Sequence, residues 1–211
     1  MIDLFSKELR GISTFLKIYY REIVVLTSAV LFPVLSKYHL VWNQWFSSLL
    51  YYTVLPVLVI VFLLRRSPLD FGLRFGNCSL WGFHVLIACV VGFPLLYIAS
   101  RCPSLQSYYE MEQFILWQYA LITTLIIFAW EFLFRGFMLF GLKERLGQVS
   151  ILIQMVPFVL LHIGKPELET ISTVVMGMYL GYVAYRSNSF WPAFIIHLFI
   201  NISFVTFVNM L

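Results

Sequence analysis

Charge is scarce in this chain: Asp, Glu, Lys and Arg make up 11% of its 211 residues, against about 25% in ordinary soluble domains. With hydrophobic residues at 61% and a mean hydropathy of +0.89, the composition excludes a water-soluble globular domain and requires an integral membrane protein. Cysteine is sparse as well. Cys78, Cys89 and Cys102 are too few and too scattered for a disulfide framework or a zinc ribbon. Sustained alternation of apolar and polar residues is missing, which places the chain in the all-α class. The first 21 residues lack the small-residue cleavage site of a signal peptide. Their Lys7, Arg10, Lys17 and Arg21, interspersed with Asp3 and Glu8, read as a juxtamembrane amphipathic segment. The net charge of +4 comes from basic residues gathered in short loops, so no nucleic-acid partner is expected.

Long apolar runs are what the chain does have. A spanning helix needs about 20 apolar residues, and candidate spans fall at 22–36, 44–64, 79–99, 113–142, 149–163, 169–186 and 189–209. The expected architecture is one integral membrane domain over residues 1–211, a polytopic helix bundle of about seven (roughly six to eight) transmembrane helices around an intramembrane polar cavity. Lys and Arg set the orientation. With the N-terminus inside, ten basic residues, among them Arg21, Arg66, Arg74 and Arg145, collect on the inner side, against Lys37, Arg101 and Lys165 outside. Short loops and the lack of appended domains point to a bacterial cytoplasmic (inner) membrane with the N-terminus cytoplasmic.

Within the spans, Glu131 and Arg135 stand four residues apart in one of the most apolar stretches. They lie one turn apart and can neutralise each other; an ionisable group at that depth is a functional-site hypothesis by default. At 1.5 Å per residue, Glu131 lies roughly 16 Å from the inner end of its span and His162 roughly 20 Å from the inner end of the next. On the last span His197 and Asn201 come at roughly 12 and 18 Å. Three helices thus deliver Glu131, His162, His197 and Asn201 to a common depth. The blander reading of each is a packing hydrogen bond, and it is the one adopted for His84 and Asn209. Gly177 and Gly181 form a small-xxx-small step for close helix packing.

A glutamate and a histidine facing one cavity can hold and deprotonate water. A second histidine and an asparagine amide can donate to the oxyanion of an attacked carbonyl. The set is sufficient for peptide hydrolysis with no cofactor. A Zn²⁺ ion held by Glu131, His162 and His197 is the alternative, since two His and one Glu make a catalytic ligand set.

At these residues the chain resembles the CPBP family of intramembrane proteases, which includes type II CAAX prenyl endopeptidases and bacteriocin-processing enzymes. The family pattern is Glu-Glu-x-x-x-Arg, then Phe-x-x-x-His, then His-x-x-x-Asn. The second motif is matched by Phe158 and His162, the third by His197 and Asn201, and the Phe134-Arg135-Gly136 end of the first is matched as well. The resemblance covers about residues 113–205, the catalytic core it implies. One departure is central: Trp130 occupies the place of the first glutamate, usually assigned as the water-activating base, and Glu131 that of the second. The resemblance implies catalytic roles for Glu131, His162, His197 and Asn201, supported by Arg135, Trp130 and Phe158. The expected activity is a glutamic-type intramembrane endopeptidase that cuts a membrane-associated peptide or protein near the middle or inner half of the bilayer, processing or sorting precursors. The competing class is a catalytically silent scaffold or immunity protein of the same fold. A proton-coupled transporter is disfavoured, because the halves show no internal symmetry.

Overall fold

A computed structural model describes residues Met1–Leu211, position 2 by its backbone alone. Among the described residues nine helices follow one another: α1 (Ile2–Ile18), α2 (Tyr20–Tyr38), α3 (Gln44–Leu63), α4 (Cys78–Ala99), α5 (Pro103–Tyr109), α6 (Leu116–Leu146), α7 (Val149–Leu160), α8 (Glu167–Ser187) and α9 (Trp191–Met210). The fold is an all-α membrane bundle. Helices α3, α4, α6 and α9 are long and apolar enough to cross a membrane, and α2 passes the same test only when joined to α1, from which it is bent by 79°. The seven apolar segments anticipated from sequence coincide with α2, α3, α4, α6, α7, α8 and α9. The fifth is shorter than its apolar run. The chain turns at Leu161–Ile163, Gly164 adopts a left-handed φ of +100°, and Pro166 precedes the next helix.

Helix α6 is the hub. Leu133, Phe134, Phe137, Leu139 and Leu142 on it are fully buried, whereas α4 has no fully buried residue and shows its side chains to lipid. That difference follows from position, because both helices are apolar all round. Immediately after Glu131 the hub relaxes into π-helical turns over Phe132–Met138. The wider i→i+5 turn shifts every later side chain about the axis, and such bulges recur at functional sites.

Two devices aim the last helix. Phe71, in the turn Pro68–Phe71, wedges against Phe137, and the Gly72 carbonyl accepts from the Phe190 amide at 3.0 Å. Gly72 has φ +83°, and a Cβ there would lie 2.6 Å from the Phe140 ring. The Trp191 indole also donates to the Leu73 carbonyl at 2.9 Å. The start of α9, and with it His197, is thereby anchored to α6. The basic residues assigned to the inner side meet in space: Arg21 and Arg66 both pair with Glu144, and Arg145 with Glu22.

Candidate active site

Glu131 and Arg135 are both fully buried, joined by an Nη1–Oε1 contact of 2.9 Å. The same carboxylate oxygen accepts from His197 Nδ1 at 2.7 Å. The Arg135 guanidinium lies over the Phe158 ring, 3.9 Å from its centroid, a cation–π contact worth about 2 kcal/mol when desolvated. The ion pair, the histidine and the aromatic ring from α6, α9 and α7 therefore form one packed unit. This is how a charge is tolerated at that depth: it is paired and capped rather than solvated.

His162 stands in the turn after α7. Its Nδ1 donates to the Phe158 carbonyl at 2.8 Å, and its own carbonyl accepts from Thr170 Oγ1 at 2.9 Å. Trp130 meets the His162 ring edge-on at 5.7 Å and the Tyr52 ring at 6.0 Å. The Trp130 indole thus faces His162. Glu131 faces His197 instead. Trp130 and Glu131, neighbours on one helix, point about 100° apart, and so meet different histidines.

A cavity of about 370 Å³ adjoins this unit, and Phe158, His162, His197 and Asn201 line it. Glu131 and Trp130 stand behind that lining. With Nδ1 committed in both rings, each histidine turns its Nε2, free of any protein partner, to the accessible side. A neutral imidazole that donates through Nδ1 accepts through Nε2. Asn201 is oriented by Tyr119, whose hydroxyl donates to Asn201 Oδ1 at 2.5 Å, leaving the amide Nδ2 as the available donor. Two acceptors and one donor thus converge on one space.

Sequence reasoning missed Tyr119, one of twelve tyrosines with no distinguishing spacing. It also missed a polar cluster on the cavity wall in which the Glu169 carboxylate accepts from Tyr109 at 2.7 Å and Lys165 at 2.7 Å. The i,i+4 spacing of Lys165 and Glu169 was its signal; Tyr109, sixty residues away, had none. Burial and the adjacent Glu169 carboxylate push the Tyr109 phenol well above its usual value, so it remains a donor. Among the described residues no group of three or more His, Cys, Asp or Glu side chains is placed to hold a metal ion. Glu131 Oε1 is shared between Arg135 Nη1 and His197 Nδ1.

Residues 112–203 match the family model described as Rce1-like, type II CAAX prenyl endopeptidase. The matched stretch contains α6 through most of α9, and with them every residue of the unit just described. No curated protein and no solved structure matches the chain. The match covers less than half of the chain, and His162, His197 and Asn201 within it line one cavity.

Proposed function

We propose that this protein is an intramembrane endopeptidase in which a histidine oriented by Glu131, rather than Glu131 itself, activates the attacking water. The observation that carries the reading is the shared carboxylate oxygen: Glu131 Oε1 accepts from Arg135 and from His197 Nδ1 together. A carboxylate so placed holds the imidazole in the tautomer whose Nε2 accepts, and it stabilises the imidazolium that follows. Water between the His162 and His197 Nε2 atoms loses a proton to His197 as its oxygen bonds to the scissile carbonyl carbon. The developing oxyanion takes a hydrogen bond from Asn201 Nδ2. As the tetrahedral adduct collapses, the C–N bond breaks and the proton passes from His197 to the leaving amine. Glu131, Arg135, Phe158 and Tyr119 are positioning residues in this scheme, and Trp130 braces His162.

The test compares membrane proteomes of cells that carry the wild-type, His197→Ala or Glu131→Gln chain, and scores accumulating precursors. General-base loss costs about 10²- to 10⁴-fold, so His197→Ala is expected to stop processing. Glu131→Gln is expected to do nearly the same, because the glutamine amide can donate to Nδ1 and leave Nε2 protonated. Normal processing in Glu131→Gln cells sinks the mechanism. Persistent activity of the pure protein in EDTA, with no metal found in it, separates this water chemistry from zinc chemistry.

A second reading, a silent scaffold that binds a membrane peptide, draws on Trp130 in the place of the first glutamate. It predicts that wild-type and His197→Ala membranes have identical peptide profiles while both chains still retain the same partner.

A further inference from the structure

The cavity has a direction. Its floor is Phe158 and Leu180, and below that lie Glu131, Arg135, Phe134 and Phe137, all fully buried or nearly so. Nothing in that layer opens towards the end where Arg21, Arg66 and Arg145 gather. At the opposite end α5 lies across the top. Leu105 on it is buried, and Tyr109 is tied to Glu169 and Lys165. Asn209 of α9 holds the same strap, donating to the Tyr109 carbonyl at 3.0 Å and accepting from the Met111 amide at 2.8 Å.

The open side is lateral. Helices α4 and α8 are joined at their basic-end halves, where the Asn77 amide donates to the Ser187 carbonyl at 2.8 Å and His84 Nδ1 meets Tyr179 Oη at 3.2 Å. At their other ends they stand on either side of the cavity, Leu95 and Ala99 from α4 and Leu168 and Ser172 from α8. Leu95 is 59% exposed and Leu168 52% exposed. Exposed leucines at the rim of a passage suit hydrocarbon, not water.

We propose that the site takes its substrate sideways, from lipid in the non-cytoplasmic half of the membrane, through a portal between the C-terminal end of α4 and the N-terminal end of α8. The half is named by the bias of basic residues to the cytoplasmic side, which puts the Lys165–Glu169–Tyr109 rim outside. The occupant is a peptide whose apolar anchor lies in the outer leaflet and whose adjoining backbone reaches Asn201 and the two histidines. Only the identity of that occupant rests on the endopeptidase reading. The proposal moves the expected cleavage from the middle or inner half of the bilayer to its outer half.

Two measurements test the portal without any cleavage assay. In intact cells a membrane-impermeant maleimide is expected to label native Cys102, at the outer end of α4, and to reach Cys78 only after permeabilisation. The reverse order moves the portal to the inner half and overturns the proposal. In a chain whose three cysteines are serine, Met176→Cys places a thiol on the cavity wall. N-pyrenylmaleimide, a lipid-soluble probe, is expected to label it in lipid vesicles. Adding Leu95→Trp, or separately Ser172→Trp, is expected to abolish labelling, while Leu86→Trp on the lipid face of the same helix leaves it intact. Unchanged labelling in both portal variants, each with a wild-type thermal midpoint, means entry elsewhere and overturns the proposal. A failed portal leaves the Glu131→Gln result standing, and a failed protease reading leaves the labelling standing.

Discussion

Arg135 illustrates what a single residue contributes in a membrane interior. Its charge is met by Glu131 at 2.9 Å and by the face of Phe158 at 3.9 Å. Removing one member of a buried pair strands the other, at a cost of about 3–5 kcal/mol. Arg135→Met is therefore expected to lower the thermal midpoint in detergent strongly, whereas Arg74→Met, which breaks an exposed pair with Asp70, leaves it nearly unchanged. Equal midpoints would show that the buried pair does not support the fold. Three of the four residues expected at a common depth line one cavity, and the fourth holds one of them. Which histidine Glu131 faces was not legible. It depends on a rotation of about 100° per residue and on the surrounding packing, neither of which an apolar pattern records. The Tyr119–Asn201 contact was hidden for a similar reason, since it pairs residues eighty-two positions apart.

The joint between α7 and α8 shows how elements carry the site. Gly177 and Gly181 let α8 approach until the Gln154 amide, fully buried, donates to the Gly177 carbonyl at 2.9 Å. A Cβ at Gly181 would sit 2.5 Å from Gln154 Nε2 and 3.1 Å from Ile151. Gln154 Nε2 is held by two carbonyls and has little room to withdraw. Gly181→Ala is expected to destabilise the protein by about 1–3 kcal/mol through overpacking and to slow processing, since α7 carries Phe158 and leads into His162. Gly82→Ala, which meets nothing within 4 Å, is the control. A Gly181→Ala midpoint no lower than that of Gly82→Ala would mean the helices part without cost. The small-residue step was readable from sequence, as were the positions of seven helices, although four of these, or five with the bent α1–α2 pair, are long and apolar enough to span rather than the expected seven. The π-helical turns after Glu131 were not, because their apolar composition differs in no way from that of a regular helix. The early end of α7 had its signal in Gly164 and Pro166, outweighed by the apolar run to 163.

Across the whole molecule, the basic residues mark one end, the polar rim of the cavity the other, and α1 lies outside the bundle. Helix α1 leaves α2 at 79°, and Leu4, Phe5, Leu9, Ile12, Phe15 and Leu16 on it are all exposed. At about 100° per residue these six fall within one half of the helix, with Lys7, Arg10 and Lys17 on the other half. Such a helix suits the membrane interface, with its apolar face towards the acyl boundary and its lysines and arginine towards anionic headgroups. This is the amphipathic segment expected from the first 21 residues, at the end where Arg21, Arg66 and Arg145 meet the acidic residues of α2 and α6. The arrangement makes a clear prediction for spin labels attached at Phe5→Cys and Lys7→Cys in the cysteine-free chain, reconstituted in vesicles with anionic lipid. The label at position 5 is expected to collide with lipid-dissolved oxygen and to be shielded from an aqueous nickel chelate, and the label at position 7 to show the opposite. Equal access of the chelate to both would place α1 in water, and the positive end of the molecule would then lose its contact with the bilayer.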